Sequence, residues 1–153
     1  MPTNGNAMAM LSTGIGSSES SYFASKEGSS LSQGFSVPSD VNVLNFDYNL
    51  VSEEPMEFVG SKYDDCFEVR LVDKDTGETH TILKTSINTA TWNPISVINF
   101  DGGDDTAYQT GWLTWDYDIS GFKGKEVELV FIVYDKGDSL FDTAVMIDNI
   151  RLS

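Results

Sequence analysis

The chain holds one cysteine, Cys66, and one histidine, His80. A lone thiol closes no disulfide within the chain, and no Cys/His cluster is present to hold zinc. No run approaches the roughly 18 consecutive apolar residues of a membrane-crossing helix, so membrane insertion is not expected. Basic residues are scarce as well: nine against twenty-four acidic ones, a formal charge of −15. Such a surface repels a phosphate backbone and an anionic bilayer face, so nucleic acid is not an expected partner. No long stretch carries the i, i+3, i+4, i+7 apolar pattern of a helix. The opening MPTNGNAMAMLSTG lacks the basic and apolar regions of a signal peptide. The expectation is a soluble, monomeric module cut from a longer protein.

What remains is strand-like. At 153 residues with 40% hydrophobic content the chain suffices for one folded domain, residues 1–153, with a core of its own. Leu44, Phe46, Tyr48 and Leu50 alternate with Asn45, Asp47 and Asn49, the period of a half-buried strand. The same alternation runs through Phe67-Val69-Leu71 and through Leu113-Trp115-Tyr117-Ile119. Val127 to Tyr134 is more continuously apolar and suits a central strand. Turn signals at Asp73–Gly77 and Ser120–Gly124 separate these segments. Residues 12–34, rich in Ser and Gly, read as loop around a short strand near Tyr22-Phe23. The fold class is therefore all-β, with an antiparallel, jelly-roll-like sandwich favoured over a barrel.

Acidic residues gather where the strands end: Glu53-Glu54, Asp64-Asp65, the loop Asp101-Gly102-Gly103-Asp104-Asp105, and Asp138 with Asp142 and Asp148. Calcium takes six to eight oxygen ligands, and sandwich loops can supply them from segments distant in sequence. Bound cations would also offset the self-repulsion of the chain. In the 101–105 loop, paired glycines permit positive φ and leave backbone N–H groups bare, while Asp101, Asp104 and Asp105 can face one cation. An ordinary polar turn uses the same residues. Asp148 falls in phase with Met146, Ile150 and Leu152, which places a carboxylate on an apolar face that must satisfy it with metal, charge or backbone amides. Of the aromatics after the loop, Trp115 and Tyr117 belong to the inward set, leaving Tyr108 and Trp112 as candidates for ligand contact.

Two enzymatic motifs are set aside. Gly137-Asp138-Ser139-Leu140 spells the signature of an α/β hydrolase family, yet only thirteen residues follow it and none is a histidine. Ser139 has no base in reach of sequence logic, so the chain is not expected to be an enzyme. Paired carboxylates could serve glycoside hydrolysis, but those here sit in turn-rich segments suited to metal.

The stretch from Phe46 to Phe67, with Ser52-Glu53-Glu54 and Asp64-Asp65, and the closing run Asp135 to Ile150 resemble bacterial surface jelly-roll domains. Over its whole length, and most distinctively in Asp101–Trp112, the chain resembles the peptide-binding domain of giant repeats-in-toxin (RTX) bacterial adhesins. The resemblance implies an extracellular, cell-surface module in which calcium captures the free C-terminal carboxylate of a partner peptide or protein, serving adhesion and biofilm formation. It implies Asp101, Asp104 and Gln109 as ligands of that ion, the Gly102-Gly103 backbone against the peptide, and Glu53, Glu54, Asp64, Asp65, Asp142 and Asp148 as structural ligands. The alternative is a calcium-dependent lectin, with Tyr108 or Trp112 stacked on a sugar ring.

Overall fold

A computed structural model describes residues 1–14, 28–53, 59–62, 64–96, 107–136 and 142–153. Among them run ten strands: β1 (Ala9–Ser12), β2 (Gly28–Ser36), β3 (Val43–Ser52), β4 (Cys66–Asp73), β5 (Thr79–Ser86), β6 (Asn93–Ile95), β7 (Ala107–Gln109), β8 (Leu113–Asp118), β9 (Glu126–Tyr134) and β10 (Thr143–Leu152). The only helical element among the described residues is a 3-10 turn at Ser120–Phe122. Sheet A has the order β1-β10-β3-β7-β6, with β8 also paired to β3, and sheet B the order β2-β9-β4-β5. Every pairing is antiparallel. The architecture is the expected β-sandwich.

The alternating strands build the core. Leu44, Phe46, Tyr48 and Leu50 of β3 and Val145 and Ile147 of β10 meet Phe67, Val69 and Leu71 of β4 and Val127, Leu129, Phe131 and Val133 of β9. The Phe46 ring meets Phe131 edge-on at 5.3 Å between centroids, and Phe131 stacks on Phe67 at 6.5 Å. Such pairs contribute about 0.5–1.5 kcal/mol each beyond area burial. As expected, β9 is a central strand, and Trp115, Tyr117 and Ile119 pack inward; Leu113, expected with them, is instead 43% exposed at the start of β8.

The β4–β5 hairpin closes on the Asp73–Gly77 turn: Gly77 N–H donates to Asp73 O at 2.7 Å, and Asp73 Oδ1 accepts from Asp75 N and Thr76 N. Gly77 takes φ +75°, which a β-carbon would strain.

Two expectations need correction. Much of the Ser/Gly-rich stretch is not loop: Gly28–Ser36 forms β2, paired to β9 at all nine positions. Its residues are poor strand formers, and the ladder that β9 supplies overrides that preference. Tyr22-Phe23 lies outside the described residues. Secondly, β3 is buried on both faces, not one: Asn45, Asp47 and Asn49 are each less than a tenth exposed. They are satisfied laterally, Asn45 donating to Asp116 and Asp47 accepting from Thr114 at 2.7 Å and Asn149 at 3.1 Å.

Candidate functional site

At one end of the sandwich the last rungs of both sheets coincide. Ser52 closes β3 opposite Thr143, which opens β10, while Tyr134 closes β9 opposite Cys66, which opens β4. Asp65, just before β4, ties the two sheets together there: Thr143 Oγ1 donates to its Oδ2 at 2.8 Å, and Lys136 N–H donates to its Oδ1 at 3.2 Å. Three more carboxylates are withdrawn from solvent beside these strand ends. Glu53 is 8% exposed, Asp135 4% and Asp142 5%, with Asp65 at 2%. Carboxylates are among the groups least often buried, because taking an ion out of water costs several kcal/mol unless charge or hydrogen bonds compensate.

In the β6–β7 pair Ile95 lies opposite Ala107, and at this end Tyr108 pairs with Ser52 of β3. Asp101, Gly102, Gly103, Asp104, Asp105, Glu54 and Asp138 themselves lie outside the described residues. Among the described residues, no three Asp, Glu, His or Cys side chains form a group able to hold a metal ion. Asp64, half-buried, accepts Asn88 N–H at 2.9 Å. Cys66 is buried, its thiol donating to Asp64 O at 3.1 Å, and burial pushes its pKa up, away from a reactive thiolate.

Beside this end, between the two sheets, opens a groove of about 400 Å³. Four threonines line it, Thr85, Thr89, Thr91 and Thr110, together with Tyr48 and Leu113. Thr110 is anchored at both its backbone and its hydroxyl: its N–H donates to Leu50 O at 3.0 Å, and its Oγ1 accepts Leu50 N–H at 3.0 Å. Gly111 follows with φ +75° and turns the chain into β8. Gln109, on the outer face of sheet A, accepts from Asn49 at 3.2 Å.

Trp112 already holds a piece of peptide backbone. Its Nε1 donates to Met1 O at 3.1 Å. The same N-terminal segment is fixed by Asp148, whose Oδ2 accepts Thr3 N–H at 2.6 Å and Asn4 N–H at 2.9 Å and whose Oδ1 accepts Asn149 N–H at 2.7 Å. These donors hold the Asp148 carboxyl below the usual range, Asn4 N–H foremost, and outweigh the opposing effect of desolvation.

The expected face of Asp148 is corrected: it stands with Met146 on the outer surface, opposite Asp47, while Val145 and Ile147 point inward. A register shift between Asp148 and Arg151, where Asn149 takes φ +53°, breaks the phase that had grouped Asp148 with Ile150 and Leu152. Asp148 is also remote from the strand ends that bring Glu53, Asp65, Asp135 and Asp142 to one pole.

Sequence reasoning missed Asp135, whose neighbours Tyr134 and Lys136 gave no hint of its burial, and Thr110, whose role depends on the gap between β7 and β8. Ser139 lies outside the described residues. His80 sits at the other end of the hairpin, its ring edge-on to Phe122 at 5.1 Å between centroids.

No known protein family and no curated protein matches the chain. Among solved structures it is similar to the carbohydrate-binding module TmCBM27, which recognises mannan, at 16% identity and a TM-score of 0.41, over 83% of this chain and 64% of that one. The chain thus spans less than two thirds of that module's length.

Proposed function

We propose that the chain is a calcium-dependent, non-catalytic binding module that captures the carboxylate end of a peptide, with its ligand site at the acidic pole. The observation that carries this reading is the burial of Glu53, Asp65, Asp135 and Asp142, each next to a strand end at one end of the sandwich. The donor chemistry fits a hard cation: carboxylate oxygens, hydroxyls and backbone carbonyls, with neither imidazole nor thiolate among them. Glu53, Asp65 and Asp142, with Glu54, Asp138 and the 101–105 carboxylates, would hold it. The ion would supply the positive charge without which a chain of net charge −15 repels a terminal carboxylate.

Peptide as the ligand is supported by the contacts of the chain's own N-terminus, where Trp112 takes a backbone carbonyl and Asp148 takes two successive backbone N–H groups. A glycan is the second reading, favoured by the four threonines of the adjoining groove, whose hydroxyls match sugar hydroxyls. An extracellular location follows from the same proposal, since modules outside cells work at the high ambient calcium that weak loop sites require.

Titration calorimetry of matched pentapeptides ending in acid or amide, in calcium and in EDTA, together with a glycan array, tests both readings. Charge-assisted contacts contribute about 1.5–3 kcal/mol, so amidation is expected to weaken binding at least about tenfold, and EDTA to abolish it. Equal affinity for acid and amide sinks carboxylate capture; binding to glycans alone selects the lectin.

A further inference from the structure

On the outer face of sheet A the ladder sets two carboxylates against each other. Asp148 of β10 lies directly opposite Asp47 of β3, and like charges so placed repel across a sheet. Little in the surrounding strands offsets them. β3, β8 and β10 together carry four acidic residues, Asp47, Asp116, Asp118 and Asp148, and one basic residue, Arg151, which stands opposite Asn45.

A segment that belongs to no strand sits on this pair. Asp148 Oδ2 accepts the Thr3 N–H at 2.6 Å, the Asn4 N–H at 2.9 Å and the Thr3 hydroxyl at 3.0 Å. Asn4 Nδ2 donates to Asn149 Oδ1 at 3.3 Å, and Trp112 Nε1 donates to Met1 O at 3.1 Å. The sheet thus reads one backbone carbonyl, two successive N–H groups and two side chains, and none of these contacts uses the terminal ammonium. All five lie at the surface, where water competes for them, so the segment is held loosely.

Charge identifies a better occupant. The donors of Met1–Asn4 satisfy carboxylate lone pairs but bring no positive side chain to a face short of one. We propose that Asp47, Asp148, Asn149 and Trp112 form a second recognition site, for a peptide segment of a partner that carries a basic residue. Met1–Asn4 occupies it in cis until such a segment displaces it. The incoming backbone takes over the contacts to Asp148 and Trp112, and a lysine or arginine in the place of Thr3 brings to the two carboxylates the charge that threonine lacks. A chain of net charge −15 steers a basic partner toward itself. This site is separate from the acidic pole and needs neither calcium nor a chain terminus.

The probe is the acetylated, C-terminally amidated hexapeptide Met-Pro-Lys-Asn-Gly-Asn, compared with twins bearing threonine or glutamate in place of lysine. Blocked ends and the absence of calcium keep all three from carboxylate capture, so failure here is distinguishable from failure of that reading. Thr3→Pro in the full chain removes an N–H and a hydroxyl that hold the segment, and opens the site without touching a strand. In EDTA, the lysine peptide is expected to shift the Trp112 indole resonance and the Asp148 and Asn149 amides of this variant. It should bind about two- to fivefold more tightly than the threonine twin, and the glutamate twin should bind more weakly still. The unsubstituted chain should bind the lysine peptide several-fold more weakly than Thr3→Pro does, because a tethered segment competes at an effective concentration of about millimolar. Asp148→Asn keeps the shape of the side chain and should remove most of the preference for lysine. Trp112→Phe, which should weaken all three peptides alike, stands in if Asp148→Asn does not fold. Unmoved resonances at millimolar lysine peptide, or equal affinity for the lysine and glutamate twins, overturns the proposal. Unprotected exchange at the Thr3 and Asn4 amides of the unsubstituted chain also overturns it, as do shifts at Asp148 and Asn149 caused by calcium alone, which give the two carboxylates to the metal.

Discussion

The two ends of the sandwich handle buried acid differently. At the hairpin end, Asp73 is 2% exposed, and the chain supplies its counter-charge: Lys125 Nζ lies at 2.8 Å, with Asp75 N–H and Thr76 N–H completing the shell. Nearby, Asp118 accepts Ser120 N–H, and Lys123 donates to Asn42. At the opposite pole four carboxylates, Glu53, Asp65, Asp135 and Asp142, are buried next to strand ends, and Asp65 accepts a hydroxyl and a backbone amide. One end pairs its buried carboxylate with a lysine of the same chain. The other gathers four buried carboxylates, and under the proposed calcium binding it is the end where solution conditions would act on the fold.

The largest expected effect follows from that asymmetry. Chelation should act on the pole first: one calcium site at a hundredfold excess over its dissociation constant contributes about 2.7 kcal/mol. EDTA is expected to lower the melting temperature by many degrees, and hydrogen exchange should quicken at Leu50–Ser52 and Thr143–Val145 before it does at Asp73–Gly77. Asp65→Asn should destabilise in calcium and be nearly neutral in EDTA. A melt and an exchange map indifferent to chelation would erase the contrast between the ends.

A smaller effect comes from protons. Lys125 holds the Asp73 carboxyl below its ordinary range. For Asp47 and Glu68 burial pushes upward, yet hydrogen bonds from Thr114, Thr3 and Asn149 in the one case, and from Tyr134, Arg70 and Lys84 in the other, outweigh it. A carboxyl with a lowered folded pKa stabilises fully above its unfolded value, near 4, and loses that contribution as pH falls through the folded value. Urea titrations in EDTA should therefore give level stability from these groups between pH 7 and 5 and a decline below about pH 4. Stability that rises on acidification through this window would contradict the assigned partners.

The smallest effect concerns Trp115, which stands between the two ends on β8. Its Nε1 is buried and donates to no acceptor among the described residues. Trp115→Phe removes a donor whose burial costs about 1–3 kcal/mol while giving up part of the packing against Phe46, so the two changes oppose each other. A shift under about 1 kcal/mol in the urea midpoint is expected; a loss above about 3 kcal/mol would mean that the indole nitrogen has a partner in solution.

Much of the sandwich was legible because β3, β4, β8 and β9 carry their inward residues at a strict period of two. The hairpin was legible for a local reason, since Asp73 and Gly77 are the residues its turn needs. β2 was not, because Ser and Gly say nothing of a ladder that β9 provides from a hundred residues away. The outer face of β3 misled in the opposite sense: Asn45, Asp47 and Asn49 look like solvent-facing residues, and only the neighbouring Asp116, Thr114 and Gln109 make their burial tolerable. The acidic clusters were visible, but that Glu53, Asp65 and Asp142 fall at one end of the sandwich is a property of strand order. The place of Asp148 depended on a positive φ at Asn149 that alternation cannot express.

The pairing of β1 with β10 has a mechanical corollary. Ala9 stands opposite Ile147 and Ser12 opposite Ala144, so the lead into β1 and the run from Ile147 to Leu152 leave the ladder at the same end. Tension applied to the two termini then opens rungs singly, as a zipper, instead of loading all of them in shear. The Asp148 contacts with Thr3 and Asn4 would yield first, then β1, while β10 stays registered on β3 from Thr143 to Leu152. In a pulling trace this predicts a short extension at low force before the main rupture of the sandwich; a single high-force event from rest would show that the load takes another path.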